Sequence, residues 1–447
     1  MGGCSAFNDH RATLRDLYAR GEFRRAAELM DDPATRRLYG RNEELLYWLD
    51  RGSLALANDD PQTTIRMLEL AEARMEGKQE LSAGEQAAQW LVNDNARPYL
   101  GEPYESMYTN VLKLLAQLER GVVQGGATVE ARRLASKANM LRDRYLKYRD
   151  AVVREGGPGF EGDLRRAMPS GNLIAVNEEG QFIESPLGTF LTAVTFMHAG
   201  DPSNQQVAAR RLISSIQLQR GLIGPVDPAA FEGLGDRAPQ PGDVLVVALS
   251  GRGPYKRAER IGPIPIFDWP VYFELPVVVG GGSVVRSVRV LRQDAAAPEG
   301  SPAEAIPMAL VEDIASVARE NHRRQLPLIY ARALLRSTLK AGASYAATQA
   351  IRRNTDKDTE DLAALGGVIA GLAFLMATER ADLRAWVFLP GQAHATLFNL
   401  PPGEHRLRIE YLDATGRVLH ATGWHEITVP EGAVGASLTT IVDQYWE

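Results

Sequence analysis

At 447 residues the chain is longer than one hydrophobic core usually supports, so two domains are expected, each able to bury a sizeable interior. Acidic residues outnumber basic ones, 56 to 50, for a net charge of -6. That argues against nucleic acid as a partner, because a domain that binds it carries a basic surplus. Cys4 is the only cysteine, which excludes an intramolecular disulfide and a cysteine metal cluster.

The position of that cysteine is informative. Gly2-Gly3-Cys4-Ser5 looks like the end of a bacterial lipoprotein signal, where small residues precede the cysteine that becomes the lipid attachment point. The charged and apolar regions of such a signal do not stand before it, so a start farther upstream or a trimmed signal is expected. Serine after the cysteine points to sorting to the outer membrane. Residues 1–8 then read as a lipobox remnant and tether, and the membrane is met through this anchor alone.

From Asp9 to Met30, Leu14, Leu17, Tyr18, Phe23, Ala26 and Ala27 recur around Gly21 as a helix, a tight turn and a second helix. The order returns at Leu45 to Leu56, the turn Asn58-Asp59-Asp60-Pro61, and Ile65 to Ala71. A longer hairpin occupies Asn93 to Asp150. Pro103 suits a first helical position, where a missing N–H leaves no bond unmade. Tyr104, Met107, Tyr108, Val111, Leu115 and Leu118 share one face beyond it, and Gly121, Gly125 and Gly126 break the pattern. Leu134, Ala138, Leu141, Tyr145 and Tyr148 form the stripe of the returning helix, whose basic residues from Arg132 to Arg149 read as a solvated face. A fourth pair joins Leu187–Phe196 to Val207–Ile216 through Gly200-Asp201-Pro202. Spacing between pairs is uneven, so residues 9–223 read as a degenerate tetratricopeptide-like array, with a plain helical bundle as the alternative.

Glycine and proline are dense in 156–171, read as a loop, and in 224–242, read as a linker between domains. Residues 243–447 follow as an α+β domain. Val244 to Leu249 is a continuous apolar run, as in a strand covered on both faces. Val271–Val279 and Val284–Leu291 read as two strands joined across Gly280-Gly281-Gly282, which places strands within 244–291. Helical steps occupy 307–380: Pro307–Arg323, Leu326–Arg353, and after a charged break the apolar stretch Ala363–Ala377. That stretch falls short of the roughly twenty residues a bilayer needs, so a buried helix is expected, with the Gly367/Gly371 step admitting a close neighbour. In 384–442 the pattern is strand again. Leu407, Ile409 and Tyr411 alternate with Arg406, Arg408 and Glu410, and the whole reads as a small antiparallel sandwich-like part.

Certain stretches, in this order, resemble a family of uncharacterised bacterial outer-membrane lipoproteins with tetratricopeptide-like repeats. They are Asn93-Asp94, Gly101-Glu102-Pro103-Tyr104-Glu105, Val129-Glu130-Ala131-Arg132-Arg133, Gly251-Arg252-Gly253-Pro254-Tyr255-Lys256 with Glu259-Arg260-Ile261, Ala381-Asp382-Leu383-Arg384-Ala385-Trp386 and Leu400-Pro401-Pro402-Gly403-Glu404-His405. The resemblance implies an envelope location and an assembly-type role, and it supplies no catalytic residues. The missing signal peptide and the Gly125-Gly126 turn depart from it.

Chemistry is sparse by comparison. His425-Glu426 lacks the second histidine of a zinc-protease helix. Asp356 to Asp361 starts like a calcium loop but has Asp361 where glycine belongs and Gly367 where the closing glutamate belongs. Gly251-Arg252-Gly253-Pro254 opens no helix and reads as a tight turn, not a phosphate cradle. His420 and His425 lie five apart on presumptive strand, hence on opposite faces. No catalytic residue, metal or cofactor is therefore expected. Arg97, Tyr99, Tyr104 and Tyr108 cluster at the start of the central hairpin as candidate partner contacts, since arginine and aromatic side chains are favoured there. The expectation is a non-enzymatic, periplasm-facing lipoprotein scaffold for protein partners of the cell envelope. An envelope hydrolase or glycan-processing enzyme with its site in the second domain, and a cytosolic adaptor, are the alternatives.

Overall fold

A computed structural model describes residues 2–77, 98–168, 180–224, 226–266, 269–298, 301–354, 381–431 and 437–447. The N-terminal half is helical: α1 (Gly2–Ala19), α2 (Phe23–Asp31), α3 (Pro33–Tyr39), α4 (Glu44–Leu56), α5 (Pro61–Glu76), α6 (Pro103–Glu119), α7 (Thr128–Gly156), α8 (Phe160–Ala167), α9 (Pro186–His198), α10 (Pro202–Leu218) and the short α11 (Arg220–Ile223). Four of these starts share one local cause. Asp32, Asp60, Ser185 and Asp201 each precede a proline, and each side chain accepts from a backbone N–H of the first turn. The cap fills an otherwise unpaired donor, and proline pre-sets the helical φ where its missing N–H leaves no bond unmade.

α4 packs on α5, α5 on α6, α6 on α7, and α9 on α7 and α10, so the helix pairs stack one upon the next. Within that stack α6 is buried on nearly all sides, including Glu105, Asn110 and Lys113. The sequence pattern marks a single apolar face on this helix. It acquires more cover because its polar residues are matched by neighbours: Lys113 lies between Glu72 and Glu130, 3.0 Å from the latter, and Asn110 donates to both carboxylates. A buried ammonium is tolerable only with such partners.

The strands are β1 (Asp243–Ser250), β2 (Tyr255–Ile266), β3 (Trp269–Val279), β4 (Ser287–Asp294), β5 (Glu304–Asp313), β6 (Gln392–Asn399), β7 (Gly403–Leu412), β8 (Val418–Ala421), β9 (His425–Val429) and β10 (Leu438–Tyr445), with α12 (Ile314–Asn354) after β5. Eight of them form one sheet in the order β10-β1-β6-β5-β4-β7-β8, with β9 also on β7, while β2 and β3 make a separate hairpin. All neighbours are antiparallel except β1 with β10. β1 explains its own sequence. Leu245, Val247 and Leu249 join the core of the helices, whereas Val244, Val246 and Ala248 join a second core with Val288, Val290, Leu407, Ile409 and Tyr411. A strand buried on both faces reads as an unbroken apolar run.

Several expectations change. The strands of 384–442 do not pair off as a small sandwich; they interleave with β1, β4 and β5 in the one sheet. Residues 307–313 are strand, not helix, because β5 pairs with both β4 and β6. Arg323 and Leu326 belong to the same 41-residue helix, which runs through Pro327. Leu326, Tyr330, Ala331 and Leu334 pack there on Ile261 and Leu275 of the hairpin, and that burial outweighs the bond proline removes. β3 and β4, read as one pair across three glycines, lie in different sheets. Residues 2–8 belong to α1, where Phe7 packs edge-on against Tyr39 at 5.1 Å, and α7 and α8 flank a short turn at 157–159.

Helices and sheet share one hydrophobic core, which includes Tyr18, Leu49, Leu191, Val247, Trp386 and Trp446. The stretch 224–242 is accordingly fastened and not free. It contains a 3-10 turn (Pro228–Phe231), buries Phe231 and Leu234, and ends where Asp243 accepts from Arg237 and the Gln240 N–H. Among the described residues no helix is long and apolar enough to cross a membrane. Ala363–Ala377 and the charged break before it lie outside them, apart from Asn354.

Candidate functional site

One face of the helical stack is occupied by the chain itself. Residues 381–386, without regular secondary structure, cross α1, α4 and the start of α6 before the chain enters β6. The contacts are largely polar and directed at the backbone of this strap. Arg11 on α1 donates to the Ala385 carbonyl at 2.9 Å and pairs with Asp50 on α4, which also accepts from the Tyr39 hydroxyl at 3.0 Å. The Glu105 carboxylate accepts the Trp386 N–H at 2.6 Å. The Trp386 indole N–H donates to Ser53 Oγ at 2.9 Å. Arg384 reaches the Asn42 carbonyl and Glu43, with its guanidinium 5.4 Å from the centre of the Tyr99 ring. Beyond it Phe388, Tyr18 and Trp446 meet at centroid distances of 4.8 to 5.8 Å.

Local sequence sets this up. Pro103 begins α6, and Glu105, two residues into the first turn, folds back to accept the Glu102 N–H at 2.8 Å and the Tyr99 hydroxyl at 2.7 Å. Burial pushes the Glu105 carboxyl up to about 7; the Lys256 ammonium pulls it down and Glu102 pushes it further up. Glu102 itself behaves oppositely. Burial alone would raise it, but Lys256 on β2, with His322 on α12 at 3.7 Å, holds it well below the usual carboxylate range. The other ring nitrogen of His322 lies 3.0 Å from the Pro276 carbonyl of β3, so this one carboxylate ties hairpin, long helix and array together.

Of the residues expected to meet a partner, Tyr99, Tyr104 and Tyr108 are 3%, 2% and 0% exposed. Their surface is taken by this chain. Tyr108 donates to Glu312 of β5 at 2.5 Å, and Tyr104 Oη has no hydrogen-bond partner among the described residues. Arg97 lies outside the described residues, and of Cys4 the backbone alone is described, in the first turn of α1. Sequence reasoning missed Glu105, Asp50 and Trp386. A signal for the first was present in Glu102-Pro103-Tyr104-Glu105, which has the spacing of a helix start with an acidic third residue. Three stretches noted for the family resemblance, Gly101–Glu105, Gly251–Lys256 and Ala381–Trp386, meet here through Glu102 with Lys256 and Glu105 with Trp386.

A partly open cleft lies elsewhere in the helices. Between α7, α9 and α10 lies a small cleft of about 40 Å³, lined by apolar Met107, Leu134 and Phe196 and by Lys137, Glu184 and Arg211. Lys137 is tied to Glu76 at 3.2 Å, and Arg211 pairs with Glu184. This cleft lies in the helical array and not in the strand domain. Among the described residues no three His, Cys, Asp or Glu side chains are grouped to hold a metal ion.

Fold and seam together define stacked helix pairs covered on one face by an α+β unit of the same chain. No protein family, curated protein or solved structure matches the chain in comparison.

Proposed function

We propose that this protein is a non-enzymatic lipoprotein scaffold, attached through Cys4 to the outer membrane and facing the periplasm, that holds a protein partner in envelope assembly or secretion. The observation that carries this reading is the strap: stacked helix pairs grip an extended stretch of polypeptide through backbone-directed Arg11 and Glu105. Stacked helical repeats present extended surfaces of the kind that bind a partner. With the tyrosine cluster buried, the partner surface we assign is the cleft between α7, α9 and α10, where Val207 is 45% exposed.

Two measurements in cells test it. Labelled palmitate is expected on the wild-type chain expressed behind a lipoprotein signal peptide and absent from Cys4→Ser. A photocrosslinking residue at position 207 is expected to trap one discrete protein that position 218, exposed at the end of α10, does not trap. Absence of lipid label would remove the anchor. Equal trapping at both positions, with turnover of an envelope glycan or ester by the purified chain, would favour the hydrolase instead.

A further inference from the structure

The sheet is fastened to the array a second time, through a single buried carboxyl. Glu312 stands at the end of β5, at a bulge against β6, and is fully buried. Its Oε1 accepts from the Tyr108 hydroxyl on α6 at 2.5 Å. Its Oε2 accepts from the Ser185 hydroxyl at 2.5 Å and from the Leu187 N–H at 3.0 Å, both at the start of α9.

The charged and titratable groups facing it are few. Asp313 follows on its own strand, Tyr108 faces it from α6 with Tyr104 beyond, beside Tyr108, and α9 presents the Ser185 hydroxyl and backbone. On β6 its register partner is Ala393, next to His394, whose imidazole burial pushes down to about 4 and so keeps neutral. Among the described residues no lysine or arginine forms an ion pair with it. Burial pushes the Glu312 carboxyl up to about 7, against the pull of the Ser185, Tyr108 and Leu187 hydrogen bonds.

The geometry accommodates both forms of the acid. With Glu312 ionised, all three donors point at it. Once protonated on Oε1, it donates to Tyr108 Oη, whose own proton turns to the Ile314 carbonyl 3.4 Å away. Oε2 keeps its two donors in either case.

We propose that Glu312, Tyr108 and the Ile314 carbonyl form a proton-operated clasp between sheet and helical array, closed with the proton on Glu312 and loosened when that proton leaves to solvent. The clasp is independent of where the chain resides and of what the array binds. A carboxyl that titrates near 7 when closed and near its ordinary 4.5 when open changes the opening equilibrium about 30-fold between pH 5.5 and 8.5.

Hydrogen exchange of the full-length chain tests this, read as protection relative to intrinsic rates for peptides covering 103–119 and 183–190. Glu312→Gln retains an acceptor for Ser185 and a donor for Tyr108. It is expected to remove about 30-fold of the pH dependence seen in the wild type. Tyr108→Phe keeps the ring but withdraws a bond to the ionised form, so the midpoint is expected to move to higher pH. Difference infrared spectroscopy on the wild type reads the carboxylic-acid C=O band directly, even where a variant folds poorly. Unchanged pH dependence in Glu312→Gln, or no acid band that titrates between pH 5.5 and 8.5, overturns the clasp.

Discussion

Replacing Trp386 with alanine tests whether the strap fastens the two halves or merely lies between them. The side chain is 1% exposed, contacts the shared core, and donates its indole N–H to Ser53. Truncating a buried tryptophan typically costs about 3 to 5 kcal/mol through lost transfer energy and the cavity left behind. The orphaned Ser53 hydroxyl adds about 0.5 to 1.5 kcal/mol if no other donor reaches it. Trp386→Phe keeps much of the apolar area and isolates the polar part, so about 1 to 2 kcal/mol is expected there. Urea denaturation followed by far-ultraviolet circular dichroism measures both, with Trp424→Ala as control because Trp424 is 39% exposed and is expected to change stability by less than about 0.5 kcal/mol. A loss in Trp386→Ala no larger than the control's would show that the strap carries no load and that the reasoning about the seam is wrong.

Glu102→Gln leaves Lys256 buried beside a neutral amide, and a loss of about 3 to 5 kcal/mol in denaturant midpoint analysis is expected. Combining it with Lys256→Met should cost clearly less than the sum of the single changes, and strict additivity would refute the pairing. Burial raises Glu105 and Glu312 to about 7 and Glu119 to about 8, so each stabilises the fold fully below the ordinary carboxylate range and loses that contribution as pH rises through its folded value. The melting temperature should therefore fall between pH 6 and 8.5. Glu72, Glu102 and Asp243, shifted down, lose their contribution only at acid pH, outside that window. A melting temperature that is flat or rises over the window contradicts the assignment. Gly391→Ala would place a Cβ 2.7 Å from the Arg252 and Gly282 carbonyl oxygens, backbone atoms that cannot yield cheaply, so a loss above about 2 kcal/mol is expected. Gly221→Ala, with nothing within 4 Å, should be neutral or slightly stabilising by the same thermal assay.

Legibility followed the range of the interaction. The helix start at Pro103 was readable from proline's fit to a first helical position, whereas Pro61 and Pro202 were assigned to the turns they end, although each follows its capping aspartate directly. Val244 to Leu249 and the alternation of Leu407, Ile409 and Tyr411 were readable because burial imprints itself residue by residue. Sheet order was not, since Asp243 pairs with Leu438 and Asn399, partners that no local pattern connects. Pro307 to Val311 is apolar enough to suit either a helix or a strand, and pairing with β4 and β6 decided it. The tyrosines at 99, 104 and 108 were found as a cluster, but an aromatic next to a charge looks alike on an interface and inside a seam. Glu105 and Glu312 draw their significance from Trp386 and Tyr108, far away along the chain.

The seam also sets a timetable for biosynthesis. Every helix of the stack leaves the ribosome before the strap does, and β1 must wait for β10, its parallel neighbour near the other end of the chain. Until then the apolar residues of the helices that share a core with the sheet, Leu49 and Leu191 among them, lack that part of their cover, and such surface recruits chaperones or aggregates. Synthesis of this protein is thus exposed to premature termination in a way that a molecule assembled from self-sufficient modules is not.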